Sequence, residues 1–149
     1  MRYLVVFFLL YAMPFNLLAQ PEVVDWTITV QSEVSGDITL ILEGKIQDGW
    51  YVYSQNLGST DGPIATELVF NEAETLQLVG ETAESGTKVE GYDKVFGMDI
   101  AKYKETIVLT QKIKLPEGLD KLSAYVTFMS CNDEVCLPPR DFEFEVNLN

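Results

Sequence analysis

The sequence has no histidine, only two cysteines, and few basic residues. Ten lysines and arginines stand against 23 aspartates and glutamates in 149 residues, a formal net charge of −13. Without histidine, imidazole general-base catalysis, histidine-dependent catalytic triads and most zinc and haem sites are excluded. The acidic charge argues against nucleic acid and anionic membranes as partners, because both attract clustered lysine and arginine. Carboxylates, tyrosines and thiols remain for any chemistry.

Long apolar runs are also scarce, and the clearest one is close to the start of the chain. The segment Leu4 to Leu10 is entirely apolar and follows a single basic residue. This pattern predicts a secretory signal peptide at residues 1–19, cleaved after Ala19, followed by one exported domain at residues 20–149. A membrane anchor is the alternative, but a proline and an asparagine interrupt the run before the roughly 20 residues that a bilayer requires. We therefore expect no membrane insertion after cleavage.

Beyond this segment, apolar residues recur at every second position, which is the period of a β-strand. No stretch of helical length keeps a period of 3.6 residues. The alternating segments begin at Trp26, Ile38, Trp50, Thr66, Leu76, Ile107, Leu122 and Phe142. Many short strands separated by glycine, proline, aspartate and asparagine turns predict an all-β fold, an immunoglobulin-like β-sandwich, with a β-barrel as the alternative.

Residues 81–103 break this rhythm. The segment is polar at first and then carries Tyr92, Val95, Phe96 and Met98 between glycines. One interpretation is a long functional loop, because loops of this length in compact domains tend to be functional or disordered. The other is an irregular strand with a small apolar cluster beneath it, and the pattern does not decide between the two.

The two cysteines, Cys131 and Cys136, lie in the connection between two well-patterned strands. In an exported protein an even cysteine count predicts a disulfide. Closing so short a loop stabilises the fold by only about 2 kcal/mol, and disulfides of this kind can be exposed and easily exchanged. A purely structural cross-link of the hairpin is the alternative. Oxidation and the lack of histidine disfavour a metal site, and the intervening Asp133 and Glu134 disfavour a thiolate.

Three segments together resemble a known family. Residues 131–139 (CNDEVCLPP), 48–53 (DGWYVY) and 92–97 (YDKVFG) are similar to motifs of the amino-terminal periplasmic domain of the DsbD family of thiol:disulfide interchange proteins. The resemblance implies an immunoglobulin-like sandwich with its disulfide at one end and a periplasmic location. It also implies electron transfer, without a bound cofactor, from a membrane-embedded donor to thioredoxin-fold proteins.

The resemblance further implies roles for individual residues. Cys136 matches the cysteine that enters mixed disulfides with partners, and Cys131 matches the one that resolves them. A cap loop that shields the pair corresponds to Asp93, Lys94, Val95, Phe96 and Gly97, and either Val95 or Phe96 supplies the covering side chain. Tyr51 and Tyr53 match aromatic residues that line the cysteine site.

Two departures from the family pattern shape the expected function. Four residues separate the cysteines here, whereas better-known members have five, and the family's membrane channel and thioredoxin-like domain have no counterpart in these residues. We therefore expect a protein-disulfide reductase that acts with a separate membrane reductant. The alternative is a non-catalytic immunoglobulin-like module that binds a protein or glycan. It would have a structural hairpin disulfide and an aromatic contact surface formed by Trp50, Tyr51, Tyr53 and Phe96.

Overall fold

The structure is a computed structural model and describes residues 20–34, 36–58, 61–71 and 75–148. The predicted signal peptide at residues 1–19 lies outside these residues. The strands are β1 (Val24–Ser32), β2 (Ile38–Ile46), β3 (Tyr51–Tyr53), β4 (Glu67–Phe70), β5 (Gln77–Asp93), β6 (Met98–Lys114), β7 (Lys121–Phe128), β8 (Ser130–Cys131) and β9 (Arg140–Asn147). Within the described part of the chain no helix is long and apolar enough to cross a membrane.

The strands form two antiparallel sheets. The larger sheet has six strands in the order β1-β2-β6-β3-β8, with β5 along the opposite edge of β6. The smaller sheet has three strands in the order β4-β7-β9. The prediction of an all-β sandwich is confirmed, because the two sheets pack face to face through their apolar sides.

The main core lies between the two sheets and follows the alternation seen in the sequence. Leu40 and Leu42 of β2, Ile107 and Leu109 of β6, and Val126 of β7 are completely buried. Because neighbouring strand residues point to opposite faces, each of these strands presents one apolar side to the core and one more polar side to solvent.

The prediction of a long loop at residues 81–103 is wrong, and its alternative is confirmed. β5 and β6 form a long antiparallel hairpin, and residues 94–97 form its turn. Most residues of β5 are exposed, so this strand lacks the apolar alternation that identifies a half-buried strand. The apolar residues at the end of the segment pack into a small second cluster, as described below.

A bulge in this hairpin lies where β6 changes its partner on the other edge. Gly86 pairs with Ile107 but the next residue, Thr87, pairs with Lys104, so that two residues of β6 have no partner on β5. Gly86 has φ of 130°, and a Cβ there would lie 2.2 Å from a backbone carbonyl oxygen of β6. Only glycine fits this close approach. Before the bulge β6 pairs with β3, and after it with β2, so one strand serves both the cysteine end and the main core.

Candidate functional site

The cysteines lie in a tight hairpin at one end of the sandwich. The chain leaves the smaller sheet after β7 and enters the larger one as β8, where Cys131 pairs with Tyr51 of β3. Backbone hydrogen bonds from Asn132 N to Val135 O and from Leu137 N to Ser130 O, both 2.9 Å, flank the cysteine pair.

Cys131 and Cys136 therefore occupy directly opposed positions without hydrogen bonds between them, the cross-strand site where Cα atoms approach most closely. Their Cα atoms are 4.1 Å apart and a disulfide joins the two residues. The side-chain oxygen of Asn132 accepts hydrogen bonds from the backbone N–H groups of Glu134 and Val135, at 2.9 and 2.8 Å. This asparagine turn shapes the short loop between the sulfurs.

The two cysteines differ in their access to solvent. Cys131 is fully buried, whereas Cys136 is only half-buried. The acidic residues Asp133 and Glu134 are exposed, and Val135 has 50% of its surface exposed. A molecule that approaches the disulfide therefore reaches Cys136 first.

A second apolar cluster, separate from the main core, surrounds the buried cysteine. Its buried members are Tyr51, Tyr53, Ile100, Met129 and Cys131, and Leu57, Phe96, Met98 and Cys136 pack against them. Val52, between the two tyrosines, belongs to the main core instead, because neighbouring strand residues point to opposite faces. The structure thus places both predicted site-lining tyrosines beside the cysteines.

The aromatic rings of the cluster meet edge to face. The ring centroids of Tyr51 and Tyr53 are 5.6 Å apart, and those of Tyr53 and Phe96 are 5.8 Å apart, with interplanar angles of 87° and 89°. This geometry is favourable for aromatic pairs. Phe96 therefore closes a row of three rings that begins beside Cys131.

The cap turn, residues 93–97, forms the end of the β5–β6 hairpin over this cluster. The buried Asp93 accepts hydrogen bonds at Oδ1 from the backbone N–H groups of Val95 and Phe96, at 2.9 and 3.4 Å. Gly97 donates its N–H to the Asp93 carbonyl oxygen and has φ of 68°, a conformation that favours glycine. Asp93 thus organises the turn through both its carboxylate and its backbone carbonyl.

The turn distinguishes the two candidates for the covering side chain. Phe96 packs against the cysteine cluster, whereas Val95 is 55% exposed and is not a member of the cluster. Lys94 is exposed as well. Of the five predicted cap residues, the structure therefore brings Asp93 and Phe96 to the cysteine cluster and leaves Lys94 and Val95 at its rim.

A polar network links the cap turn to the cysteine hairpin. Asp93 Oδ2 accepts a hydrogen bond from the Tyr53 hydroxyl at 3.4 Å and pairs with Lys102 Nζ at 3.3 Å. The same Nζ lies 4.0 Å from the centroid of the Tyr51 ring, and the Tyr51 hydroxyl donates to the Asn132 carbonyl oxygen at 3.2 Å. Burial is the main cause that raises the pKa of Tyr53, and the nearby Tyr51 and Asp93 raise it further. The hydroxyl therefore keeps its proton and remains a hydrogen-bond donor.

Lys102 was not predicted from the sequence. It lies in the segment whose strand pattern is obscured, and the register that pairs it with Tyr53 joins residues far apart in the chain. A cavity of about 290 Å³ lies beside it, between the cap turn and the cysteine hairpin.

Within the described residues, no group of three or more cysteine, aspartate or glutamate side chains could hold a metal ion.

Comparison with known proteins agrees with this geometry. The family model described as "Thiol:disulfide interchange protein DsbD, N-terminal" matches residues 16–148. The chain belongs to this family. The resemblance inferred from the cysteine, cap and tyrosine motifs is therefore confirmed. Among curated protein sequences, none matches the chain significantly.

Two solved structures show that the fold is that of the DsbD N-terminal domain. The DsbD N-terminal domain of Neisseria meningitidis in the reduced form has 22% identity and a TM-score of 0.61, over 85% of this chain and 86% of that one. The N-terminal periplasmic domain of ScsB from Proteus mirabilis has 20% identity and a TM-score of 0.64. That match covers 91% of this chain and 49% of the other, so this chain corresponds to about half of the ScsB structure.

Proposed function

We propose that this protein is an exported, periplasmic thiol:disulfide interchange module that passes electrons through Cys131 and Cys136 to thioredoxin-fold partners. The proposal is supported most directly by one observation: a chain of the DsbD N-terminal family carries a disulfide with one buried and one accessible cysteine beneath a short turn. A separate membrane-embedded protein is the proposed electron donor. Acting together with it, the chain would work as a protein-disulfide reductase.

The proposed cycle consists of two disulfide exchanges. A donor dithiol first reduces the Cys131–Cys136 disulfide to two thiols and is itself oxidised to a disulfide. The Cys136 thiolate then attacks one sulfur of a partner disulfide, which forms a mixed disulfide and releases one partner thiol. Cys131 attacks Cys136, restores the internal disulfide and releases the second thiol. Two electrons and two protons pass to the partner, and no cofactor takes part.

The difference in burial supports the assignment of the two roles. Cys136 is half-buried and next to the exposed end of the hairpin, so a partner sulfur can approach it. Cys131 is fully buried within the cluster, where no second protein can reach it without displacing several side chains. Its burial supports the role of resolving cysteine, which acts after Cys136.

The cap turn is proposed to shield this site between exchanges. Phe96 packs against the cluster, and its ring meets that of Tyr53 edge to face. Apolar cover of this kind excludes small thiols and oxidants, and a loop that moves aside for the correct partner then combines protection with access. The cap residues carry this role in the proposal, with Phe96 rather than Val95 as the cover.

The four aromatic residues of the alternative function, a non-catalytic binding module, are mostly buried. Tyr51 and Tyr53 are 2% and 0% exposed, and Trp50 packs against the main core. Only Phe96 of the four aromatic residues lies at the edge of the site, so these side chains do not form an aromatic contact surface.

Trapping of the mixed disulfide tests the proposed function. The Cys131→Ser variant, which keeps the accessible cysteine, is mixed with an oxidised exported thioredoxin-fold protein and analysed on a non-reducing gel. We expect a covalent complex that a reductant cleaves, and much less of this complex with Cys136→Ser, the matched control. Two results would overturn the proposal: no complex with Cys131→Ser, or a wild-type disulfide that equilibrates with glutathione only below about −300 mV, where inert structural disulfides lie.

A further inference from the structure

Lys102 is a partly enclosed cation beside the cysteine site of a strongly acidic protein. Its side chain is 16% exposed, and that of its partner Asp93 is 2% exposed. By contrast, the ion pair of Lys112 with Glu33, farther along the same strand, lies at the surface with side chains 38% and 36% exposed. Exposed pairs contribute little to stability, whereas breaking an enclosed pair is costly because the remaining charge has lost its partner.

Lys102 also joins two elements that the backbone leaves separate. On one side it pairs with Asp93, whose other carboxylate oxygen holds the N–H groups of Val95 and Phe96 in the cap turn. On the other side it lies over the ring of Tyr51, whose hydroxyl bonds to the cysteine hairpin. Cation–π contacts at partly desolvated sites are favourable. The lysine therefore connects the cap turn to the cysteine hairpin.

We infer that Lys102 is a positioning residue that holds the cap turn closed over the Cys131–Cys136 disulfide. The inference rests on the proposed function, because it assigns to Lys102 the control of access to that disulfide. Without the ammonium group, the buried Asp93 carboxylate would lose its counter-charge and would be more stable in water. Since the Val95 and Phe96 N–H groups bind this carboxylate, its outward movement would lift the Phe96 ring from Tyr53.

A second role for Lys102 predicts the opposite sign. A cation near the sulfurs could instead stabilise the thiolate that leaves when the disulfide is reduced, and its removal would then slow the reaction. Removal of a residue that keeps the cap closed would speed the same reaction, because the attacking thiol would reach Cys136 more often. The direction of the rate change separates the two roles.

The test measures reduction of the Cys131–Cys136 disulfide by dithiothreitol, whose two thiols become a cyclic disulfide as the two cysteines become thiols. Lys102→Met keeps the apolar stem and removes the charge. We expect its rate constant to rise at least about tenfold, the factor that corresponds to one charge-assisted hydrogen bond. Lys102→Arg should restore a rate close to that of the wild type, and Lys112→Met, the matched control on β6, should stay within about twofold of it.

Amide hydrogen exchange gives a second measurement that does not depend on sulfur chemistry. In Lys102→Met the exchange protection of the Val95 and Phe96 N–H groups should fall by a factor similar to the rise in rate, while amides of the main core should keep theirs. If Lys102→Met does not unfold cooperatively on heating, Lys102→Gln, which keeps a donor without the charge, replaces it in both measurements.

An unchanged or lower reduction rate in the uncharged variant would overturn the inference about Lys102. So would unchanged protection of the two cap amides. Neither result depends on a partner protein, so failure of the inference is distinguishable from failure of the proposed function, which is decided by trapping with Cys131→Ser.

Discussion

Truncation of Phe96 is the most direct test of how the cysteine site is protected. Phe96 is half-buried, packs against the cysteine cluster and meets Tyr53 edge to face at 5.8 Å. Replacing a completely buried phenylalanine by alanine lowers the free energy of unfolding by about 3–5 kcal/mol, and an aromatic pair adds about 0.5–1.5 kcal/mol of stability of its own. For a half-buried ring we therefore expect Phe96→Ala to weaken the closed turn by roughly 2 kcal/mol, which corresponds to about 30-fold in the population of open turns.

The assay is the rate of disulfide reduction by dithiothreitol, followed by alkylation of the new thiols and mass spectrometry. Phe96→Ala should react about 30-fold faster than the wild type if reduction proceeds through the open turn. Phe96→Leu should show a smaller rise, because leucine keeps apolar cover but loses the aromatic edge. Val95→Ala is the matched control, since Val95 is 55% exposed, and should react at the wild-type rate.

Two outcomes would refute this reasoning. Phe96→Ala reacting within twofold of the wild type would mean that the ring does not limit access to the disulfide. An equal acceleration in Val95→Ala would mean that the exposed residue limits access as much as the packed one, so that packing of Phe96 does not single it out as the cover. Denaturant unfolding of each variant shows whether a rise in rate comes from the turn or from loss of the whole fold.

Three further perturbations test other parts of the structure. Gly86→Ala should destabilise the fold by roughly 3 kcal/mol in denaturant unfolding, because its Cβ would lie 2.2 Å from a carbonyl oxygen. The control Gly91→Ala, whose Cβ would have no atom within 4 Å, should change the free energy of unfolding by less than about 0.5 kcal/mol. Equal effects of the two substitutions would argue against the bulge. The hydrogen bond from Lys112 lowers the pKa of Glu33 below its usual 4.5, so this pair stabilises the fold above that pH and the effect is lost as pH falls through the lowered pKa. In Lys112→Met an NMR titration should show the Glu33 pKa rising toward 4.5, and an unchanged value would contradict the pairing. Burial raises the pKa of Tyr53 above its usual 10.0, so the stability that its protonated hydroxyl contributes is complete below pH 10 and declines as pH rises beyond it. Tyr53→Phe should therefore lose stability less steeply than the wild type between about pH 9 and 11. An unchanged slope would refute the raised pKa.

The sequence was sufficient to predict the class of fold, because a half-buried strand displays its burial as alternation. The segments starting at Ile38, Ile107 and Leu122 all follow this rule, and their apolar residues form the main core. The cysteine motif was equally informative. Together with the tyrosine and cap motifs, the cysteine pair and its following prolines indicated the family, and the family match confirmed it.

Pattern alone was insufficient where a strand is exposed on both faces. Most of β5 contacts solvent on each side, so nothing in its composition marks it as a strand. It is held by backbone pairing with β6. Every residue except proline can form backbone hydrogen bonds, so this pairing does not require particular side chains in the sequence. For this reason residues 81–103 were open to two interpretations.

By itself, then, the sequence determined an all-β sandwich of the DsbD N-terminal family and, of the residues around its cysteines, Tyr51 and Tyr53. Tertiary structure alone decided that Phe96 rather than Val95 packs against them, that Cys136 is the accessible cysteine, and that Lys102 joins the site. The physical reason is that each of these depends on register between segments distant in the chain. The bulge at Gly86 sets how far β6 extends beside β3, and only that pairing brings the lysine over a tyrosine and the cap turn against the cysteine cluster.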